Sequence, residues 1–142
     1  MENVNIVINC AAVTDFRLRL DLILNINCVG TLRLFDLAKK MKKIEHFVHC
    51  STAYVNSYRG SGFINEKIYK KKSMNDPEDL LQTLLGYSPE DIKSKEKEIL
   101  DTFPNTYTYT KHLCERIMEL RRGNLSVTIC RPSIIGCSWK EP

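Results

Sequence analysis

Three short apolar segments are spaced along the chain, and each is typical of a β-strand. They comprise residues 4–10 (VNIVINC), 46–50 (HFVHC) and 125–130 (LSVTIC). The first segment is apolar and β-branched without strict alternation, a pattern that favours a parallel strand covered on both faces. Small or polar residues follow each segment, so we expect a loop at the carboxyl end of every strand.

Helical patterns separate these segments. Leucine, isoleucine and phenylalanine recur every three or four residues from about Arg17 to Met41, which predicts one long or broken amphipathic helix. A further helix is predicted from Thr106 to about Arg122. Strands alternating with helices imply right-handed crossovers and a parallel sheet, whose ligands bind at the carboxyl ends of the strands. The predicted fold class is therefore α/β, part of a Rossmann-like, doubly wound parallel sheet with a helical insertion.

The insertion is a long polar segment, residues 56–105, and is predicted to be a helical cap. Within it, Asp76-Pro77 and Ser88-Pro89 each place a capping residue and a proline before acidic residues, the pattern of a helix start. Its apolar residues either cover a lipid chain or pack onto the domain. These residues are Leu80, Leu81, Leu84, Leu85, Ile92 and Leu100.

Composition narrows the classes of function. A chain of 142 residues, 43% of them hydrophobic, has the size and apolar content of one domain. Its net charge of +4 arises from basic residues scattered among acidic ones, which predicts a solvated surface and no nucleic-acid partner. Six cysteines without a C-x-x-C pair are predicted to be small buried hydrophobic residues in a reducing compartment. The three histidines lack the spacing of metal ligands, so no metal site is predicted.

Tyr107 and Lys111 are four residues apart at the start of the last predicted helix and share one helix face. An ammonium held near a phenol favours the phenolate, so we expect the pKa of Tyr107 to fall below its ordinary value of about 10. The tyrosine could then donate a proton to a carbonyl oxygen that receives a hydride. The preceding strand ends in Ser51-Thr52, so hydroxyl, phenol and ammonium should converge at one sheet edge. The alternative is a helix-capping hydroxyl with an unrelated surface tyrosine and lysine.

Several short motifs, in order along the chain, resemble those of extended short-chain dehydrogenases/reductases. They are C-A-A at residues 10–12, N-C-V-G-T at 27–31, S-T-A-Y-V at 51–55, Y-x-x-x-K at 107–111 and R-P-S-I-I-G at 131–136. The strings P-N-T-Y-T-Y-T-K and R-P-S-I-I-G-x-S-W-K-E-P resemble the fatty acyl-CoA reductases in particular. The resemblance extends from about Val4 to Pro142. It implies NADPH-dependent reduction of a long-chain acyl-CoA, through an aldehyde, to the fatty alcohol.

The resemblance also implies catalytic roles for individual residues. Tyr107 would donate the proton to the substrate oxygen. Lys111 would hold the nicotinamide ribose and tune the tyrosine. Thr52 would bind the substrate carbonyl through its hydroxyl, and Ser51 is the neighbouring candidate for that role.

A second group of residues would line the cofactor, which the resemblance identifies as NADPH. Ala11 and Ala12 would lie along its adenosine side, and Lys111 would contact its nicotinamide ribose. Asn27 would support the site from the central helix. Pro132 and Ser133 would pass beside the nicotinamide amide.

The chain departs from the family pattern at both ends, and at Trp139-Lys140-Glu141-Pro142 it stops where the family's substrate half would follow. No G-x-x-G-x-x-G or G-x-G-x-x-G loop occurs, so the loop that would receive the cofactor pyrophosphate is missing. Residues 1–142 are therefore predicted to be a partial NAD(P)-binding reductase domain, which starts at the family's fourth strand and is inactive by itself. The resemblance implies an intracellular enzyme at the peroxisomal or endoplasmic reticulum membrane. Any membrane association would use parts outside this sequence, which has no apolar run of bilayer length.

Two other interpretations remain open. Another extended short-chain family member, such as a thioester-releasing reductase domain or a nucleotide-sugar epimerase or dehydratase, would carry similar core motifs. A non-catalytic, truncated remnant is the alternative from a different class, because three strands alone leave an unpaired sheet edge exposed. The long insertion and the W-K-E-P string favour the acyl-CoA interpretation.

Overall fold

The computed structural model describes residues 2–140, in which strands and helices alternate. The strands are β1 (Ile6–Asn9), β2 (His46–Cys50) and β3 (Ser126–Cys130). The helices are α1 (Leu20–Leu24), α2 (Thr31–Ala38), α3 (Pro77–Gly86), α4 (Pro89–Leu100) and α5 (Thr106–Arg121). A π-helical segment (Asn25–Gly30) joins α1 to α2, and 3-10 segments cover Ala53–Arg59 and Lys72–Met74. Glu141 and Pro142, which end the W-K-E-P string, lie outside the described residues.

The three strands form one parallel sheet in the order β1-β2-β3. Val7, Phe47 and Val127 lie side by side across the sheet, and Asn9 lies beside His49. Parallel neighbours need crossover connections, which are supplied here by the α1–α2 region and by the α3–α5 region. The predicted α/β fold class and parallel sheet are confirmed.

The described helices cover one face of this sheet. Phe47 and His49 of the central strand are fully buried beneath them, and the ring of Phe47 meets Phe35 of α2 edge-on, with 5.0 Å between centroids. On the opposite face, Ile6 and Ile8 are 57% and 64% exposed. The expectation that the first strand is covered on both faces is therefore wrong for residues 2–140. Crossovers between parallel strands are right-handed as a rule, and these two advance in the same direction along the sheet, which places their helices on the same side.

The helix predicted from about Arg17 to Met41 is present as α1, the π-helical segment and α2, which follow one another without a break. Its apolar residues form one buried stripe: Leu20, Ile23, Leu24, Cys28, Leu32 and Phe35. The π-helical turn holds an extra residue, and Asn27 within it is fully buried. Single π-helical turns inside α-helices are frequent at functional sites.

The two helices of the insertion begin where the sequence predicts. The side chain of Asp76 accepts hydrogen bonds from the backbone N–H groups of Glu78 and Asp79. Ser88 and Asp91 form a reciprocal capping box at the start of α4. Proline occupies the first turn of both helices, where its missing N–H costs no hydrogen bond.

The apolar residues of the insertion pack mainly onto the domain. Leu81, Leu84 and Ile92 are almost fully buried in the main hydrophobic core, where α3 packs on α5 and α4 packs on α1. Leu85 is 40% exposed. The two roles predicted for these residues are to cover a lipid chain or to pack onto the domain, and the contacts of α3 and α4 correspond to packing.

The cysteines divide into two groups. Cys28 and Cys114 are fully buried, as predicted. The others are exposed or half-buried: Cys10, Cys50, Cys130 and Cys137. The prediction that all six are buried is therefore wrong, because three of these four lie at strand ends on the sheet face that the described helices leave uncovered.

Candidate functional site

The carboxyl ends of the three parallel strands meet at one edge of the sheet, where most of the predicted site residues lie. Backbone hydrogen bonds continue the pairing of β2 and β3 beyond the strands. The N–H of Ser51 donates to the carbonyl of Cys130 at 2.7 Å, and the N–H of Ala53 donates to the carbonyl of Pro132 at 2.8 Å. The loops after β2 and β3 are thereby held side by side.

The start of α5 brings Tyr107 against Thr52. Asn105 caps this helix by accepting a hydrogen bond from the N–H of Thr108 at 2.9 Å, which sets the first turn in place. The hydroxyl of Thr52 interacts with the phenol of Tyr107. The same hydroxyl accepts a hydrogen bond from the N–H of Tyr54 at 3.3 Å. Thr52 and Tyr107 are only 5% and 9% exposed, so water has little access to the pair.

The pKa of Tyr107 is raised, not lowered as predicted. Burial is the main cause and raises the pKa, while the hydrogen bond with Thr52 lowers it to a smaller extent. The ammonium of Lys111 is directed elsewhere, because its Nζ donates to the main-chain carbonyl of Cys50 at 2.8 Å. The predicted stabilisation of a phenolate by Lys111 is therefore wrong. Tyr107 keeps its proton at neutral pH, which is the form a proton donor needs.

Lys111 lies buried beneath the end of β2, with 1% of its surface exposed. Burial lowers its pKa, and the nearby thiols of Cys114 and Cys50 act more weakly in the opposite direction. An ammonium has three donors, and the carbonyl of Cys50 accepts from one of them. The structure thus places the hydroxyl, the phenol and the ammonium at one edge of the sheet.

His49 is a buried polar residue that the sequence analysis did not connect with this site. Its Nδ1 lies 3.3 Å from the side-chain nitrogen of Asn9, which also donates to the hydroxyl of Thr31 at 3.0 Å. Burial, and then the nearby charge of Lys111, lowers the pKa of His49 to about 3, so the ring is neutral. The sequence did carry a signal for its burial. Residues two apart on a strand share one face of the sheet, so His49 lies on the same inward face as Phe47.

Asn27 anchors the loop that follows β1. Its side-chain oxygen accepts a hydrogen bond from the N–H of Val13 at 2.8 Å, and its side-chain nitrogen donates to the Val13 carbonyl at 2.8 Å. Ala11 and Ala12, just before this anchor, are exposed. Asn27 therefore controls the conformation of the loop, while the two small side chains leave its surface open to a ligand.

The loop after β3 is tied to α5 by an ion pair. The guanidinium of Arg131 donates to both carboxylate oxygens of Glu115, at 3.0 and 2.6 Å, and the Glu115 side chain is 1% exposed. Glu115 lies one turn beyond Lys111 on the same helix, and Pro132 with Ser133 follow Arg131 directly. Glu115 gave no signal in the sequence, because pairing between two distant elements leaves no local pattern.

An apolar cavity of about 280 Å³ opens beside Tyr107. Its lining comes from the loops after all three strands and from the start of α5: Phe16, Tyr54, Ser57, Pro104, Asn105, Tyr107, Thr108 and Ile134. The ring of Phe16 lies 5.5 Å from that of Tyr107, centroid to centroid. Such a cavity suits an apolar group whose polar reacting atom lies at the phenol. The entry and exit segments of the insertion line it, whereas α3 and α4 do not.

The residues at this edge fit the nicotinamide half of a dinucleotide. The hydroxyl of Ser51 is buried and has no hydrogen-bond partner among residues 2–140, and Lys111 supplies donors close by. Buried polar atoms without partners are rare in proteins, and a bound polar ligand is one explanation for them. The glycine-rich loop that would hold the pyrophosphate is not in this sequence, so the fit extends only to the nicotinamide side.

Within residues 2–140, no three His, Cys, Asp or Glu side chains are grouped as metal ligands. In the same range, no helix combines the length and the apolar character that crossing a bilayer requires.

Known proteins match this chain over its whole length. The family model described as "Male sterility protein", an NAD-binding domain, matches residues 1–142. The chain is 39% identical to "Fatty acyl-CoA reductase 1" of Xenopus laevis, 38% to "Putative fatty acyl-CoA reductase CG8306" of Drosophila melanogaster and 36% to "Fatty acyl-CoA reductase 1" of Homo sapiens. Each alignment covers 100% of this chain and 27% of the relative. The chain thus spans about a quarter of the length of the relatives it matches.

A solved structure shares the fold. It is described as "Structure of a thiolation-reductase di-domain from an archaeal non-ribosomal peptide synthetase". The superposition has a TM-score of 0.58 at 20% sequence identity and covers 93% of this chain and 30% of the other. At that identity the likeness supports the Rossmann-like fold alone.

Proposed function

Since the chain belongs to the male sterility protein family of NAD-binding domains, we propose that the complete protein is an NADPH-dependent fatty acyl-CoA reductase. It would convert a long-chain acyl-CoA, through the aldehyde, to the fatty alcohol. Relatives named fatty acyl-CoA reductase, at 36–39% identity over the whole chain, support this reaction class. The family itself indicates a nicotinamide cofactor, and the choice of NADPH is part of the proposal.

The arrangement around Tyr107 carries the proposal. The phenol lies between the hydroxyl of Thr52 and the apolar cavity of about 280 Å³. An acyl thioester likewise has a polar part and an apolar part, because its carbonyl oxygen is followed by a hydrocarbon chain. The carbonyl oxygen would meet the phenol and the hydroxyl, while the first carbons of the acyl chain would contact Phe16 and the other apolar lining residues.

The chemistry at the carbonyl divides between the cofactor and this chain. When bound, the nicotinamide supplies a hydride for the carbonyl carbon. Tyr107 donates its phenolic proton to the carbonyl oxygen as negative charge develops there. Its raised pKa keeps the proton on the phenol at neutral pH, and the Thr52 hydroxyl holds the substrate oxygen within reach. The hemithioacetal formed in the first reduction breaks its C–S bond and releases coenzyme A as the thiol, and the aldehyde that remains presents the same kind of carbonyl to the same donor.

Lys111 and Arg131 orient the reactants. The carbonyl of Cys50 holds the Lys111 ammonium beneath the strand ends, and its remaining donors would bind the ribose hydroxyls. The ion pair between Arg131 and Glu115 holds Pro132 and Ser133 where they would flank the nicotinamide amide. Fixing both partners in this way lowers the entropic part of the barrier to hydride transfer.

We also propose that the complete protein acts at the membrane of the peroxisome or the endoplasmic reticulum. Its substrate and product would carry long apolar chains, which favour a membrane surface over water. Fluorescence microscopy of the tagged complete protein, with markers for both organelles, tests this location. A uniformly cytosolic signal would contradict it.

Product analysis of the complete protein tests the enzymatic proposal. Incubation with palmitoyl-CoA and NADPH should give the fatty alcohol, detected by gas chromatography, with NADPH consumed in each of the successive reductions. NADH in place of NADPH should give much less product. Accumulation of the aldehyde alone would contradict the alcohol-forming step, and turnover of a UDP-sugar without turnover of palmitoyl-CoA would overturn the substrate class.

A further inference from the structure

Three cysteines end the three adjacent strands at equivalent positions. Cys50 and Cys130 are directly paired in the register of β2 and β3. Cys10 is the residue after Asn9, which pairs with His49, so Cys10 lies beside Cys50. Side chains alternate between the faces of a strand. Because Asn9 and His49 face the helices, all three thiols lie on the opposite face of the sheet.

Access differs among these thiols. Cys10 and Cys130 are exposed, and Cys50 between them is half-buried. The Cys50 thiol has a hydrogen-bond interaction with the thiol of Cys10, whereas its interaction with Cys130 is weaker and involves no hydrogen bond. Neighbouring strands lie about 4.8 Å apart, which is within the range of about 4.4–6.8 Å between Cα atoms that a disulfide accepts.

Cys50 also touches the site through its main chain. Its carbonyl oxygen accepts the hydrogen bond from the Lys111 ammonium at 2.8 Å. A covalent bond between the Cys10 and Cys50 side chains would pull this backbone toward β1 and alter the support of the ammonium. The thiol pair and the proposed catalytic lysine are therefore connected through one residue.

We propose that Cys10 and Cys50 form a thiol-modification site, which a low-molecular-weight disulfide of the glutathione type converts to an intrachain disulfide. The formation of this disulfide is independent of the proposed reaction. Its effect on activity rests on the proposed function, through Lys111.

The exchange proceeds in two balanced steps. The thiolate of the exposed Cys10 attacks one sulfur of the glutathione disulfide, which breaks that bond and releases one glutathione as thiolate. Cys50 then loses its proton to solvent and attacks the Cys10 sulfur, which forms the intrachain bond and releases the second glutathione. Two protein thiols are oxidised and one small disulfide is reduced to two thiols. Burial raises the pKa of Cys50, so this second step is the slower one at neutral pH.

Mass spectrometry of the complete native protein tests the site itself. Glutathione disulfide is added, free thiols are alkylated, and the disulfide-linked peptides are identified. The peptides of Cys10 and Cys50 should be found joined. Cys28 and Cys114 are the matched control, because their thiols are also in contact but both residues are fully buried. They should stay reduced. A bond between Cys50 and Cys130, or no bond at Cys50, would overturn the proposal.

The effect on activity is measured separately, as the ratio of rates before and after oxidation within each protein. Oxidation should slow the wild type about tenfold, the equivalent in rate of one hydrogen bond, and dithiothreitol should restore the rate. Cys10→Ser should show no such loss, whereas Cys137→Ser, which removes an exposed thiol elsewhere, should show it in full. A disulfide that forms without changing the rate would overturn the link to Lys111. A protein that forms it but has no reductase activity at all would refute the proposed function instead.

Discussion

Burial sets the chemistry of Tyr107. A phenol near an exposed ammonium would lose its proton more readily, but this phenol is 9% exposed and its pKa is raised by desolvation. The residue is therefore poised as an acid and not as a base. Its neighbours Thr52 and Phe16 come from the loops after two different strands, so the position of the phenol depends on the whole sheet edge.

Replacing Tyr107 by phenylalanine should abolish most of the reductase activity of the complete protein. The proton donated to the oxygen is needed mainly in the transition state, so the loss should appear in kcat, by a factor of about 10² to 10⁴. The ring can stay beside Phe16, so the Kd for NADPH, measured by calorimetric titration, should change little.

Tyr109→Phe is the matched control for that variant. Tyr109 is 2% exposed and its ring meets Phe103 edge-on, on the side of α5 that faces the insertion. Loss of its hydroxyl should leave kcat close to that of the wild type. If Tyr109→Phe were inactive while Tyr107→Phe kept normal turnover, the site would be placed on the wrong face of α5.

Helix α5 is the element that organises the site. It carries Tyr107 in its first turn and Lys111 in its second, and Glu115 one turn further on anchors it to the loop after β3. Because Glu115 is almost fully buried, its charge depends on Arg131 for compensation. The ion pair therefore matters for stability and for the position of the loop after β3.

Glu115→Gln should destabilise the domain by roughly 2 kcal/mol, because the charged guanidinium loses its ionic partner in a partly buried place. The loop containing Pro132 and Ser133 should also loosen, so the KM for NADPH should rise. Urea denaturation and steady-state kinetics of the complete protein measure the two effects.

Asp21→Asn is the control for this ion pair. It breaks the pair between Asp21 and Arg19, whose side chains are 21% and 41% exposed. An exposed pair contributes less than about 1 kcal/mol, so the variant should lose little stability and keep its KM. Equal losses in both variants would show that burial does not distinguish the two pairs.

At the scale of the whole molecule, burial keeps two interior histidines neutral well below the pH at which an exposed imidazole takes up a proton. Burial is the main reason why the pKa of His49 is lowered to about 3 and that of His112 to about 4, from an ordinary value of 6.5. The unfolded chain binds protons at these residues at a higher pH than the folded chain does. Stability is therefore complete above pH 6.5 and falls as the pH drops toward 3 to 4.

His49→Gln should make the domain less sensitive to acid. At pH 5 the unfolded state gains about 2 kcal/mol by protonating this one histidine, while the folded state gains almost nothing. The variant should therefore lose about 2 kcal/mol less stability than the wild type between pH 7 and pH 5, as measured by urea denaturation. His46→Gln, on the sheet face away from the helices, is the control for loss of an imidazole. An unchanged pH dependence in His49→Gln would contradict the assignment.

Much of the architecture follows from local pattern. The three apolar segments are strands, the spacing of leucine and isoleucine places the long helix of α1 and α2, and Asp76 and Ser88 cap the helices as predicted. The four-residue spacing also puts Tyr107 and Lys111 on one side of α5. Each of these features depends on residues close together in the chain, through backbone hydrogen bonding and the period of the element, so the sequence by itself determines it.

Burial and pairing across elements were decided only by the tertiary structure. Strand register and the choice of the covered sheet face decide four features of the site. They are the raised pKa of Tyr107, the hydrogen bond from Lys111 to the Cys50 carbonyl, the ion pair of Arg131 with Glu115, and the row of thiols. Electrostatic desolvation and side-chain contacts act over distances in space, between residues that no local pattern relates. That is why the sequence could predict which side chains meet at the sheet edge, while it could not predict their protonation states or their supporting contacts.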